Sequence, residues 1–521
     1  MKLGIDFGTT RTLVAAHDRG NYPVLEFSTP EGEATDHVPT VSADVDGELV
    51  HGLAARAAAE RGAPHLGSFK RLLGRFGPEH AVAIGRHELT LLELITAFLA
   101  SLRVELLERS NLPKRLRRDA RIECAVSVPA NAHSSQRWAT LEAFGRAGFE
   151  VKALVHEPSA AGVEFAHRHR GVLNKKREHV AVYDLGGGTF DASLVCMGDE
   201  RHDVLEAVGE RELGGDDFDR LLCELALERL GLRAAELDGR LPALLAECRA
   251  AKESIGPSTK RIVLELAALG RTEGEEPLVV PVAEYFERVR PLVERSVAKL
   301  TEVLARAGGT ADLAAEAGVA TETDVAAEAG VAAIYVVGGA SSLPLVGRVL
   351  REKFGRRVLR SSHAAGATAM GLAILAAGDD PPRIGEQFTR HLGVFREADA
   401  GERKVFDRIF ERGTLVPEVG AAPLVRRRTY RAAHNVGQLR FIECGDVGPG
   451  GEPIGDITPS SLVYVPYDAA VRDASLKDVA IARTAVDLGP SIEERYQVDA
   501  RGVVTVTIET LDDGFTQAFV L

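Results

Sequence analysis

At 521 residues, with 45% hydrophobic and 27% charged residues, the chain has an ordinary globular composition and length for about three or four domain-sized units. Its net charge of −13 counts against general binding to nucleic acid or anionic membrane, and no apolar run approaches the ~18 residues of a membrane helix. Five scattered cysteines without paired spacing count against a disulfide framework and a zinc site, and Asp6 interrupts the start where a signal peptide needs its apolar run, so the expected location is the reducing cytoplasm.

The first element is Gly4-Ile5-Asp6-Phe7-Gly8-Thr9-Thr10, an apolar run, an acid, and a glycine–threonine turn, with a return strand over 12–16. That order predicts a β-hairpin with a carboxylate at the end of its first strand. Turn-rich sequence follows at Thr29-Pro30-Glu31-Gly32 and His37-Val38-Pro39-Thr40, then a basic patch in an apolar frame, Phe69-Lys70-Arg71-Leu72-Leu73-Gly74. Residues 89–107 have helical periodicity, with Leu91, Leu94, Ile95, Phe98, Leu99 and Leu102 on one stripe. The basic run Lys114-Arg115-Leu116-Arg117-Arg118, like Arg426-Arg427-Arg428 further on, reads as a solvated face. A buried strand over 122–128 stops at Pro129, and Ser134-Ser135-Gln136-Arg137 opens a helix running to about 147. A strand over 151–155 leads into His156-Glu157-Pro158-Ser159-Ala160-Ala161, where proline and small residues start a closely packed helix.

The stretch Val182-Tyr183-Asp184-Leu185-Gly186-Gly187-Gly188-Thr189-Phe190-Asp191 repeats the plan of the first hairpin. A glycine turn lets successive backbone N–H groups converge on an anion with no Cβ in the way, and a carboxylate beside it offers a place for a divalent cation. Two such hairpins facing each other would hold a magnesium–nucleotide between them. Next, Leu213-Gly214-Gly215-Asp216-Asp217-Phe218-Asp219 opens a helix with acids at its N-terminus, as the helix dipole prefers. Helices are expected over 221–230, 241–254 and 282–307, a strand over 333–337, a third glycine turn at Gly338-Gly339-Ala340-Ser341-Ser342, and a helix over 364–377. Strands alternating with helices around two similar hairpins argue for two α/β lobes over a shared cleft. A short alanine-rich repeat, 314–320 and again 326–332, reads as a surface insertion or helix extension. After Gly378-Asp379-Asp380-Pro381-Pro382 the helical periodicity disappears, and strands over 405–410, 438–443, 462–465, 494–498 and 503–509 predict an all-β sandwich or barrel.

The order of these motifs resembles the heat-shock 70 kDa chaperone family, whose ATPase belongs to the actin-like superfamily. The series is Gly4 to Thr10, Lys70-Arg71-Leu72, Val128-Pro129-Ala130, Gln136-Arg137, Glu157-Pro158, Asp184 to Asp191, Leu213 to Asp219 and Val337-Gly338-Gly339. Beyond the proline break, Leu392-Gly393-Val394 and Gly413-Thr414-Leu415-Val416-Pro417 resemble the start of that family's peptide-binding β-sandwich. The resemblance implies an actin-like α/β ATPase domain at 1–380, a linker at 381–390, and a β-sandwich at 391–521 without the family's helical lid.

It also implies roles. Asp6, Asp184 and Asp191 would line a Mg²⁺ site, held largely through the ion's waters, with K⁺ as a further candidate cation. Gly8, Thr9, Thr10, Gly186, Gly187 and Gly188 would cradle the β- and γ-phosphates of ATP or ADP, and Gly215, Asp216, Lys252, Gly338 and Gly339 would contact the rest of the nucleotide. Lys70 would reach the γ-phosphate and orient the attacking water, with Glu157, Asp184 and Thr189 completing the catalytic set. Extended or unfolded polypeptide, a J-domain co-chaperone and a nucleotide exchange factor are the implied partners, with Arg137 on the family's signalling surface.

The chain departs from the family at the nucleoside end. Arg249 stands where the family has an acid, Glu253 where it often has an arginine, Ser342 where another arginine is frequent, and Ala365-Gly366 where an Asp-Glu pair is usual. Loss of such contacts weakens adenosine binding by about one to three decades. The linker stretch at 383–389 is less apolar than the family's, so weak signalling between domains is expected. The leading expectation is an ATP-hydrolysing chaperone; the others are a nucleotide-gated scaffold with little turnover, and an actin-like filament former or sugar kinase, which the β-domain and Glu157-Pro158 count against.

Overall fold

The computed structural model describes residues 1–30, 32–117, 121–169, 171–173, 177–198, 201–210, 212–237, 239–270, 276–307, 330–378, 383–484 and 488–521. Glu31, Arg118, the alanine-rich repeat except at 330–332, and the acidic proline break at 379–382 lie outside them. The chain divides into two compact units. The first is Met1–Leu72, Ala81–Ala130 and Ala143–Ile384; the second is Leu73–His80, Asn131–Glu142 and Gly385–Leu521.

The first unit is mixed α/β and built twice on one plan. Strand Lys2–Phe7 pairs antiparallel with Arg11–Ala16 and parallel with Glu123–Val128, which runs parallel to Glu150–His156. Strand His179–Leu185 pairs antiparallel with Phe190–Met197 and parallel with Val331–Val337, which runs parallel to Val358–Arg360. Each hairpin is thus the centre of a sheet, with both of its faces inside the protein. That explains why both strands read as continuous apolar runs rather than alternating ones.

Helices seal these sheets, and local chemistry sets their ends. Thr90 and Glu93 form a capping box at the start of Leu91–Glu108, whose Leu91, Leu94, Ile95, Phe98, Leu99 and Leu102 are buried. Helix Gly215–Leu230 stops at Gly231, whose φ of 67° is the left-handed conformation a terminating glycine tolerates. Helix Ala367–Ala377 lies so close to the first hairpin that a Cβ on Gly4 would sit 2.2 Å from the Ala369 carbonyl oxygen. Beside Asp6, Phe7 packs its ring 5.8 Å from Phe98 and 6.5 Å from both Phe69 and Phe144, an aromatic floor that fixes the end of the strand.

Arg201–Glu210, read as no element from the sequence, is a strand on the outer side of Phe190–Met197. Its partly buried, charge-interrupted pattern hides the strand periodicity. Arg383–Gly385, at the start of the stretch read as less apolar than the family's linker, forms the edge strand of this same sheet. Edge pairing is a main-chain interaction and does not require apolar side chains.

The second unit is β-rich. Two four-stranded antiparallel sheets share one core: Arg403–Phe410, His391–Ala398, Val436–Val447 and Pro453–Pro466 in one, Leu424–Arg431, Ser491–Val498, Val504–Thr510 and Phe515–Val520 in the other. Leu424–Arg431 and Phe515–Val520 were not expected as strands. The triple arginine masks the first, and exposure of alternate residues weakens the second. Arg428 also departs from the solvated face read from the sequence, since it is partly buried and bonded to Asp407. Arg137 is buried in this unit, its Nε donating to the Arg501 carbonyl at 2.8 Å and its guanidinium 3.5 Å from Glu386.

Candidate functional site

The turns of the two hairpins meet. A Cβ on Gly187 would lie 2.1 Å from Thr10 Oγ1, so only glycine permits this approach. Each turn is tied to its own surroundings: Gly8 N donates to the Asp6 carbonyl at 3.0 Å, Thr40 Oγ1 to the Gly8 carbonyl at 2.9 Å, and Gly186 N to the Thr189 carbonyl at 2.9 Å. The N-terminus of the helix opening at Gly215 is fastened to the second turn by Gly215 N to Gly186 O at 3.0 Å and Asp216 N to Gly187 O at 2.6 Å. The third glycine turn closes in from the other side. Gly338 has a φ of +84°, and a Cβ there would fall 2.3 Å from Asp184 Oδ1.

Between these turns lies a cavity of about 430 Å³. Asp6, Gly8, Thr9, Thr10, Glu157, Asp184, Gly186, Gly187, Thr189 and Asp191 line one end of it. Gly215, Asp216, Lys252, Gly338 and Gly339 line it further along. Of the residues singled out from the sequence, Lys70 and Gly188 stand one contact behind the lining. Lys70 is 5% exposed, its Nζ is 3.0 Å from Glu157 Oε1, and it lies 5.5 Å from the centroid of the Phe7 ring. Gly188 accepts from Arg71 through its carbonyl at 2.9 Å.

Four carboxylates, Asp6, Glu157, Asp184 and Asp191, crowd the first end, with Lys70 as the cation that opposes them. Burial and the Glu157 charge push the Asp6 carboxyl up to about 7, although Lys70 and a hydrogen bond from Ser127 pull the other way. Burial, with the charges of Glu157, Asp191 and Asp6, raises Asp184 well above the usual carboxylate range. Among the described residues no three acids, histidines or cysteines stand close enough to chelate one ion directly. The acidic floor and the glycine cradle together fit an anion carrying a small divalent cation held through its hydration shell.

The folded-state value of Asp6 lies above its ordinary 3.8, so the folded state binds more protons, and the contribution of Asp6 to stability falls as pH rises from about 4 through about 7. Asp6→Asn should therefore gain thermal stability relative to the wild type between pH 5 and 8 in the presence of a chelator. Melting curves of the two proteins that shift in parallel across that range would count against the buried-carboxylate account.

At the far end the side chains bond to one another. Arg249 donates to Asp219 and Asp216, both at 2.8 Å, and Lys252 donates to the Gly215 carbonyl at 3.0 Å and lies 2.6 Å from Asp219. Glu253 pairs with Arg11 from beside the first turn. Arg360 places Nη2 2.6 Å from Ser342 Oγ. The exchanged residues Arg249 and Glu253 thus each find an opposite charge within the cleft. Sequence reasoning gave no role to Arg11, Arg71, Asp219 or Arg360. The first three lie inside or beside the quoted motifs, and only the fold shows which way they face.

A family model described as Hsp70 protein matches residues 116–382. The matched stretch contains the second hairpin, Glu157, the Gly215 helix and the third glycine turn; the Asp6 hairpin, Lys70 and both sheets of the β-rich unit lie outside it.

Proposed function

Because this chain belongs to the Hsp70 family, whose members are nucleotide-binding chaperones, we propose that it hydrolyses ATP in its first unit and holds unfolded or extended polypeptide in its second. The facing glycine turns, with a carboxylate at the end of each hairpin strand and the Lys70–Glu157 pair behind them, carry the reading. We assign an actin-like ATPase domain to 1–380, a linker to 381–390 and a substrate-binding β-sandwich to 391–521.

In this reading Gly8, Thr9, Thr10, Gly186 and Gly187 receive the phosphates, the glycines letting the backbone come close, with Gly188 one contact behind them. Asp6, Asp184 and Asp191 would hold Mg²⁺ here, through its waters. The ion, when bound, supplies neutralisation of phosphate charge. Lys70 adds a fixed positive charge at the same end and, with Glu157 and Thr189, orients the attacking water. Phosphoryl transfer needs positioning and charge more than a nucleophilic side chain, and these residues supply both. Gly215, Asp216, Lys252, Gly338 and Gly339 contact the nucleoside side. Cytoplasmic location, a J-domain partner and an exchange factor belong to the same proposal.

The internal pairing of Arg249 with Asp216 and Asp219, and of Glu253 with Arg11, favours weak selection of the base. It also supports a second reading, a nucleotide-gated binding protein with little turnover. Phosphate release by the full chain, measured with ATP and with GTP and with or without a reduced unfolded polypeptide, separates the two. The hydrolase reading expects release with both nucleotides, within about tenfold of each other, and faster with polypeptide present. Release no faster than a protein-free blank overturns it and leaves the gated scaffold.

A further inference from the structure

The second unit carries a cavity of about 1200 Å³ lined largely by its β-strands. Phe395, Leu462 and Ile481 line it while remaining 36%, 50% and 51% exposed. Single exposed apolar residues need no explanation, but several converging on one concave surface mark a surface that is covered in use. Around them the strands present Arg396, Lys404, Arg428, Arg431 and Arg440 against Glu397 and Asp407. The bias is opposite in sign to the whole chain, which has 63 Lys and Arg against 76 Asp and Glu.

Only part of this positive charge is answered within the fold. Asp407 takes both Arg396 and Arg428, and Glu397 faces His434 at 3.9 Å. Arg431 reaches a neutral acceptor, the Gly489 carbonyl, at 3.1 Å, and Arg440 reaches the side-chain oxygen of Gln438 at 3.5 Å. Lys404 is exposed with no carboxylate in ion-pair reach among the described residues. Lys404 and Arg431 also sit on Arg403–Phe410 and Leu424–Arg431, strands that each end a sheet. An extended chain can add to such an edge by main-chain hydrogen bonds, with alternate side chains entering the groove. The apolar lining accepts its apolar residues, and the unanswered cations select the charge of the others.

We propose that the occupant of this groove is an extended polypeptide segment in which acidic residues flank an apolar or aromatic one. The inference rests on the reading that the second unit binds polypeptide, and it names the class of segment preferred there.

The test measures fluorescence anisotropy of the full chain with three labelled peptides of equal length and one apolar centre, flanked by Glu, by Ser or by Lys. Each exposed charge pair is worth a few-fold, so two or three together should make the Glu-flanked peptide bind about tenfold tighter than the Ser-flanked one. The Lys-flanked peptide should bind weakest, and the spread should shrink as salt rises, because exposed charges are screened. In Lys404→Glu/Arg431→Glu the order should invert while the Ser-flanked peptide stays within about threefold of its wild-type affinity. Equal binding of the three, or preference for Lys, overturns the inference and leaves polypeptide binding standing. Binding of none overturns both. Displacement of the Glu-flanked peptide by a single-stranded oligonucleotide at lower concentration than by unlabelled peptide overturns it in favour of a nucleic-acid groove.

Discussion

Replacing Lys70 by alanine should lower phosphate release by about 10²–10³-fold, the usual effect of removing one preorganised charge from a transition-state site. The geometry says why this lysine rather than another of the chain's cations. Arg11, Arg71, Arg249 and Lys252 already have acidic partners or carbonyls elsewhere around the cavity, whereas Lys70 opposes Asp6, Asp184 and Glu157 at the carboxylate end. Its ammonium is held by Glu157 Oε1 at 3.0 Å and by the face of Phe7, so it needs no reorganisation to act. Nucleotide affinity should change far less than the rate, because the glycine turns proposed to receive the phosphates do not depend on Lys70 for their conformation. Lys70→Arg should not restore the rate, since a branched guanidinium has no room in a pocket where the native side chain is 5% exposed. Single-turnover release from a preformed ATP complex checks both substitutions. Equal rates in wild type and Lys70→Ala would remove Lys70 from the catalytic set and, with it, most of the argument for turnover.

The candidate site was legible because its parts are local in sequence. An acid followed by glycine and threonine in a turn announces itself within one hairpin, and the fold then only has to bring two such hairpins together, as the approach of Gly187 to Thr10 does. The far end of the cavity was legible as a departure but not as an arrangement. Arg249 and Glu253 read as losses from a familiar pattern, while their compensating partners Asp219 and Arg11 lie 30 and 242 residues away along the chain. In the β-rich unit the same problem is larger. Its strands alternate inward and outward, but charged residues occupy inward positions, and a pattern of polarity cannot distinguish a buried ion pair from a solvated face. Glu494 is fully buried and Arg396 largely so, a pairing that their charges alone do not announce.

That buried pair sets the second large effect. Arg396 donates to Asp407 and Glu494, and Glu494 also accepts from the hydroxyls of Tyr430 and Tyr496, each at 2.6 Å. The Tyr430 hydroxyl is in turn 2.6 Å from that of Tyr467, and the Arg396 guanidinium lies 5.3 Å from the Tyr430 ring. Burial alone would lower the basicity of Arg396, but the hydrogen bond and charge of Glu494 outweigh it and raise the guanidinium above its ordinary value. The network joins Arg403–Phe410 and His391–Ala398 of one sheet to Leu424–Arg431 and Ser491–Val498 of the other, so it fastens the two sheets along the rim of the cationic groove. Arg396→Ala strands a carboxylate that has no water to solvate it, and should destabilise the unit by about 3 kcal/mol, at the lower end for a broken buried pair because the two phenols remain. Amide exchange in 391–398 and 491–498 should then quicken by about 10²-fold. Removing the stranded charge as well, in Arg396→Ala/Glu494→Gln, should recover part of the loss, because the amide oxygen still accepts from a tyrosine while the uncompensated charge is gone. A double variant that exchanges faster than the single one would show that Glu494 is held by its tyrosines alone and that Arg396 serves the groove rather than the fold.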